Sequence, residues 1–268
     1  MEVRPPAVAG RFYPADPQRL RDDVRAHIGE VKGDLSAFGC VSPHAGYMYS
    51  GDVAGALFRR LQVPRRVLLL GPNHTGMGQP LAIMSAGAWQ TPLGDIAIDS
   101  ALAAELTRDF ALLTEDSYAH VLEHSLEVQL PFLLERAGEF TFVPICVGVG
   151  TFDLLAQLGE AIASVVARQD EPVLIVASSD MNHYETDSIT RMKDKKALDA
   201  LMTGDARALY EVIKRERISM CGYGPTVAML IAARQLGAKR AELIKYATSA
   251  DVSGDRENVV GYAALAIS

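Results

Sequence analysis

Three histidines stand where apolar runs end. His44 follows Phe38-Gly39-Cys40-Val41-Ser42-Pro43, His74 follows Val67-Leu68-Leu69-Leu70-Gly71-Pro72-Asn73, and His183 follows Val173-Leu174-Ile175-Val176-Ala177-Ser178-Ser179-Asp180-Met181-Asn182. One such histidine is ordinarily satisfied by backbone in a core or loop. Three in equivalent places point instead to imidazoles that meet. Neutral imidazole suits zinc, iron and copper, and two histidines with one further donor and open positions describe the facial site of non-heme iron oxygenases. Asp180, three residues before His183, is either another ligand or the carboxylate that orients a histidine or acts as base.

A second pattern, His120-Val121-Leu122-Glu123-His124, matches the His-x-x-Glu-His of inverted zinc peptidases, in which two histidines one turn apart bind zinc and the glutamate is the base. A match of this length also arises on any helix carrying Glu and His on a solvated face. It leaves the strand-end histidines without a role, so a peptidase is a minor alternative. The better use of Glu123, His124 and Glu127 is one helix face turned toward the site, as hydrogen-bond partners or substrate contacts.

An apolar run without alternation suits a strand covered on both faces, and ligands of open α/β sheets gather at the carboxyl ends of such strands. Arg4 to Pro14 reads as an ordered arm. Asp16, followed by Pro17, caps a helix whose Leu20, Val24 and Ile28 form one stripe, with His27 at its flank. Ser50-Gly51-Asp52 opens the next helix, and Leu81–Ser85 with Gly94–Ile98 reads as a hairpin. Helices are expected over 100–108 and 121–136, the latter kinked or restarted at Pro131. A strand over 140–147, helices over 151–168, 188–202 and 205–215, a helix opened by Pro225, and strands over 242–247 and 259–267 complete an alternation of strand and helix. The fold class this predicts is α/β: a single domain over 1–268, with a central, mostly parallel mixed sheet and helices on both faces. Gly46, Gly51, Gly71, Gly76 and Gly78 are expected to let backbone approach a ligand.

The 268 residues carry a net charge of −7 and a pI near 5.4, which argues against nucleic acid and against a basic membrane-binding patch. The first residues have no apolar signal core, and the longest apolar stretch, 259–267, is far short of the ~20 residues that span a bilayer. A cytoplasmic location without membrane contact is expected. Three cysteines without a Cys-x-x-Cys pair make neither a disulfide framework nor a structural zinc site.

Taken together, Arg4-x-Pro-x-x-Ala-Gly-x-Phe-Tyr-Pro, Ser42-Pro43-His44-Ala45-Gly46-Tyr47, Gly71-Pro72-Asn73-His74, Glu123-His124-Ser125-Leu126-Glu127, Ser178-Ser179-Asp180-x-x-His183 and Cys221-Gly-x-x-Pro225 resemble the Memo family almost from end to end. The resemblance implies the fold of class III extradiol dioxygenases. It also implies work beside an AMMECR-type protein and a radical SAM enzyme, as prokaryotic members belong to the AmmeMemoRadiSam set. Carried over, His44 and His74 are metal ligands and His183, with Asp180, is catalytic. Cys221 stands where the dioxygenases have a glutamate ligand. Thiolate is softer than carboxylate and alters metal preference, so the expected cofactor is iron(II) first, copper second and zinc third. The Gly-rich loop and the helix start behind Cys221 favour thiolate, whereas Cys40 and Cys146 lie inside apolar strands and are assigned to packing. Tyr47, Asn73, Glu123, His124, Glu127 and Tyr223 are expected to line the pocket. The function implied is metal binding with oxygen-dependent redox activity toward a small molecule; the alternative is a non-catalytic pocket holding a peptide or protein.

Overall fold

The apolar runs form the middle of a sheet. In the computed structural model, which describes residues 2–268, the chain begins β1 (Val3–Arg4), α1 (Pro17–Ile28), β2 (Gly39–Ser42), α2 (Tyr47–Arg60), β3 (Arg66–Pro72) and β4 (Leu81–Ile83). There follow β5 (Ala88–Thr91), β6 (Gly94–Ala97), α3 (Ser100–Asp109), β7 (Thr114–Glu115), α4 (Leu130–Ala137), β8 (Thr141–Val147), α5 (Phe152–Val166) and β9 (Val173–Ser178). The chain ends with β10 (His183–Glu185), α6 (Asp187–Met202), α7 (Ala206–Glu216), α8 (Tyr223–Gln235), β11 (Ala241–Thr248), α9 (Ala250–Ser253) and β12 (Val259–Ile267).

Strands β2, β9, β3 and β8 lie side by side in that order, all parallel. Antiparallel β12, paired also with β10 and β11, closes one side, and antiparallel β4 followed by β7 closes the other. The sheet is therefore mixed with a parallel centre. Burial on both faces explains the unbroken apolar runs. Val67 and Leu69 of β3 pack with Leu20 and Val24 of α1 and Leu57 of α2, while Leu68 and Leu70 face Leu155 and Leu158 of α5 and Val227 and Leu230 of α8. Because β2, β9 and β3 are parallel, their carboxyl ends open on one edge of the sheet, with β9 between the two histidine-bearing neighbours.

Asp16 caps α1 by accepting from the Arg19 N–H, with Pro17 opening the helix as expected. The arm before it is ordered, since β1 pairs with β5 and Arg4 is buried. Three local expectations change. The hairpin is β5–β6, in a separate three-stranded sheet with β1, and the 81–85 stretch instead contributes β4 to the main sheet. Helix α2 begins at Tyr47, a turn earlier than Ser50, with Gly46 before it. No continuous helix covers 121–136. Two 3-10 turns, Ser117–His120 and Glu127–Gln129, flank irregular chain, and Pro131 lies in the first turn of α4, where its missing N–H costs nothing. No helix of the described residues is long and apolar enough to cross a membrane.

Candidate metal centre

His44 leaves β2, His74 leaves β3, and Cys221 precedes the Gly222 cap of α8. Their donor atoms all lie within 4.8 Å of one another, with Cys221 Sγ 3.2 Å from His44 Nε2. The His44 and His74 rings stand at 78° with centroids 5.1 Å apart. Two glycines make this convergence possible. A Cβ on Gly222 would lie 2.3 Å from the Ser178 carbonyl, so only glycine lets the start of α8 settle on the end of β9. A Cβ on Gly71 would lie 2.6 Å from Ser125 Oγ, so glycine also admits the loop that brings Glu123 to His74. The expected approach of glycine backbone to a ligand is thus, at Gly71, an approach to protein. At Gly51 it is likewise, where a Cβ would meet the His27 ring at 2.5 Å.

The hydrogen bonds fix which ring nitrogen faces the site. Ser178 Oγ donates its single proton to the Ser125 carbonyl at 2.7 Å, so it can only accept from His44 Nδ1 at 2.9 Å. Gln129 Nε2 donates to the same oxygen at 2.8 Å. His44 therefore carries its proton on Nδ1 and presents the Nε2 lone pair to Cys221. At His74, Nδ1 lies 2.9 Å from Glu123 Oε1 and the backbone N–H donates to Oε2 at 2.6 Å. Burial alone would raise the Glu123 carboxyl, but the hydrogen bond and charge of His74 and the Ser125 N–H bring it down to about 2. It is an acceptor, which again leaves Nε2 free. His183 Nδ1 lies 2.9 Å from the Ser219 carbonyl, with the same consequence. Burial lowers His44 well below the usual imidazole range, helped by its histidine neighbours, and burial also lowers His124 and His183.

The model of Memo-like proteins matches residues 4–266. The chain belongs to the Memo family. A MEMO1 family protein of Methanopyrus kandleri is 44% identical over 98% of each chain, and one of Methanosarcina acetivorans is 43% identical over the full length of both. Among solved structures, the uncharacterized protein JW3007 of Escherichia coli K12 superposes with a TM-score of 0.51 at 12% identity, covering 83% of this chain and 98% of that one. That likeness speaks to the fold alone.

In this Memo-family chain the pocket around the three donors is lined also by Phe12, Ala45, Gly46, His124, Asp180, His183, Tyr184, Ser219 and Val260. His124 stacks on His74 at 4.7 Å and meets Phe12 at 4.8 Å. Asp180 lies in the pocket wall. It accepts from the His44 backbone N–H at 2.8 Å, so it sets the loop, and Ser178 orients the ring. Burial raises the Asp180 carboxyl to about 7 against the pull of the His44 and Ala45 N–H groups and the His74 charge. Glu123 lies behind His74. Four expected pocket residues lie elsewhere. The Tyr47 hydroxyl donates to Val128 O, and its ring packs on Phe132 at 4.9 Å, because α2 turns that side toward α4. Asn73 closes its own turn, donating to Met77 O and accepting from Thr75 and Gly76. Glu127 pairs with Arg4, and the Tyr223 hydroxyl bonds Lys214 Nζ at 2.9 Å.

The zinc-peptidase set is not assembled. His120 is buried against Trp89 with Nδ1 3.4 Å from Cys146 Sγ, and without a helix it shares no face with His124. His74, Glu123 and His124 also have donor atoms within 4.8 Å of one another. Glu123, however, already accepts the His74 backbone N–H, His74 Nδ1 and the Ser125 N–H, so this cluster orients His74 and does not form a second cage. Burial, reinforced by the Asp180 charge, pushes the Cys221 thiol up against the pull of the Asp180 and Gly222 N–H groups.

The Ser178 contact was missed because a serine in Ser178-Ser179-Asp180 has no chemistry of its own to notice. Ser178→Ala should leave the fold intact and weaken metal binding by ~10–100-fold, as losing a partner that orients a ligand imidazole does. Competition with a chromophoric chelator measures this, and unchanged affinity would mean that Ser178 only packs.

Proposed function

We propose that the chain holds one redox-active ion, iron or copper, through Nε2 of His44, Nε2 of His74 and Sγ of Cys221, in a dioxygenase-like setting. The observation that carries this is the convergence of the three donors, two of them fixed in the tautomer that aims a lone pair at the third. Such donors bind a small ion at ~2.0–2.3 Å, and three protein ligands leave positions open for a substrate. Thiolate with imidazole is a borderline-to-soft set, which suits iron or copper and disfavours magnesium or calcium. When bound, the ion supplies one-electron chemistry and an oxygen-binding position.

The protein's own contribution is the rest. Ser178 and Glu123 hold the two imidazoles, Asp180 holds the backbone under His44, and His183 offers an Nε2 lone pair to a substrate proton while Ser219 keeps its other nitrogen occupied. Elemental analysis of protein purified without oxygen tests the reading. Near-stoichiometric iron or copper is expected in the wild type. Cys221→Ser should bind more weakly and shift preference away from Cu(I), because the hydroxyl is a harder donor. Wild type reproducibly free of both metals, even after anaerobic reconstitution, would favour the pocket as a binding module that works with AMMECR-type and radical SAM partners.

A further inference from the structure

Among the described residues two that are not glycine have positive φ, Tyr184 at 60° and Arg217 at 52°. Arg217 is the left-handed residue that ends α7, with its N–H on Ile213 O, an ordinary helix terminus. Tyr184 ends no helix. It sits in β10 where the register with β12 shifts, a bulge that turns its side chain. Its neighbours are pinned on either side. The His183 N–H donates to Ser219 Oγ, and the Glu185 carboxylate accepts from Asn182 Nδ2 and Lys193 Nζ. Nor is the ring buried in exchange, for Tyr184 is 76% exposed, the most exposed large hydrophobic residue of the described chain. A bulky side chain in the left-handed region persists only where its surroundings impose it, and such residues cluster at ligand sites. Here the imposed conformation places Tyr184 on the wall of the pocket that holds His44, His74 and Cys221, a wall shared with Phe12 and Val260 and without lysine or arginine.

We propose that Tyr184 is the substrate-recognition residue of this pocket, stacking on a flat, uncharged part of an organic substrate whose reactive end lies among His44, His74 and Cys221. This rests on the reading of those three residues as a metal centre. An aromatic ring rewards a flat apolar partner, whereas an anionic group away from the ion finds no cation in the lining. The position also gives a large aromatic a use where glycine would sit without strain.

The test is saturation-transfer NMR with benzyl alcohol and benzoate on wild type, Tyr184→Gly and Tyr184→Phe, with metal content and thermal midpoint measured on the same preparations. Benzyl alcohol should bind wild type and Tyr184→Phe alike, bind Tyr184→Gly roughly 3- to 10-fold more weakly, the scale of one aromatic pair, and exceed benzoate on protein stripped of metal. The thermal midpoint of Tyr184→Gly should equal or exceed that of wild type, because glycine accepts φ 60° without a Cβ clash. Equal benzyl alcohol binding in Tyr184→Gly and wild type overturns the proposal, as does stronger binding of benzoate to protein stripped of metal, where no ion can hold the carboxylate. A lower midpoint together with lost metal in Tyr184→Gly also overturns it, since the turn is then structural. Wild type without metal but with Tyr184-dependent benzyl alcohol binding would instead overturn the metal reading alone.

Discussion

His44→Ala should lose the metal ion while keeping the fold. Its imidazole is fully enclosed, its Nε2 lies 3.2 Å from Cys221 Sγ, and Ser178 holds its other nitrogen, so the donor is prepositioned and has no neighbour able to replace it. His124 is near in space, but it stacks on His74 and meets the His44 ring edge-on at 5.5 Å, so it does not fill the vacated position. Loss of a partner that merely orients a ligand already costs ~10–100-fold in affinity, so loss of the ligand should exceed about 100-fold. Ser178 keeps its bonds to Ser125 O and Gln129, which leaves no orphaned polar atom on the serine and limits the structural effect. His183→Ala is the matched contrast. It should retain the ion and lower any oxygen-dependent turnover by ~10²–10⁴-fold, the usual contribution of a general base. Metal analysis with thermal melts on both variants decides. Full occupancy in His44→Ala would sink the assignment, and metal loss in His183→Ala would make that residue a ligand.

The places where His44, His74 and His183 fall were legible because an apolar run that ends abruptly in Pro or Asp has few explanations other than a buried strand meeting a loop. The parallel centre followed from the same runs, since strands buried on both faces need no alternation. What the sequence concealed depends on the third dimension. Ser178 matters only because the Ser125 carbonyl claims its proton. Phe12 comes from an arm distant in sequence, and Tyr184 was hidden because a left-handed φ at a bulge leaves no mark in the residue types. Of the helix expected over 121–136 the restart at Pro131 holds, as the first turn of α4, while the part before it is not helical, because the Glu and His spacing fits a helix without requiring it. Tyr47 was misplaced by contiguity. Standing in the same motif as His44, it begins α2 and turns to the helix layer, whereas His44 remains at the end of the sheet.

The largest stability effect should come from Arg4, far from the metal donors in sequence. The side chain is 4% exposed, and its Nε donates to His120 O at 2.7 Å, Nη2 to Glu123 O at 2.6 Å and Nη1 to Glu127 Oε2 at 2.7 Å, while the guanidinium lies 4.1 Å from the Trp89 ring centroid. Glu127 in turn accepts from the Ala7 and Val8 N–H groups and the Tyr13 hydroxyl. One guanidinium thus ties the N-terminal arm, which brings Phe12 to the pocket, to the loop that brings Glu123 to His74. Arg4→Met should cost about 3–5 kcal/mol, the range for breaking a buried pair, because Glu127 loses its counter-ion and the carbonyls of Pro5, His120 and Glu123 lose their donor. Arg4→Lys should recover little, since an ammonium lacks the planar fork that reaches the three acceptors. Arg4→Met with Glu127→Gln should be more stable than Arg4→Met alone, because removing the orphaned charge relieves most of the penalty. Metal affinity should fall in Arg4→Met and recover only in part in the double variant, for restored neutrality does not re-anchor the backbone of the Glu123 loop. Urea midpoints and metal titrations on the three variants test this; a loss below about 1 kcal/mol in Arg4→Met would place the pair among ion pairs of surface strength and remove the link between arm and site.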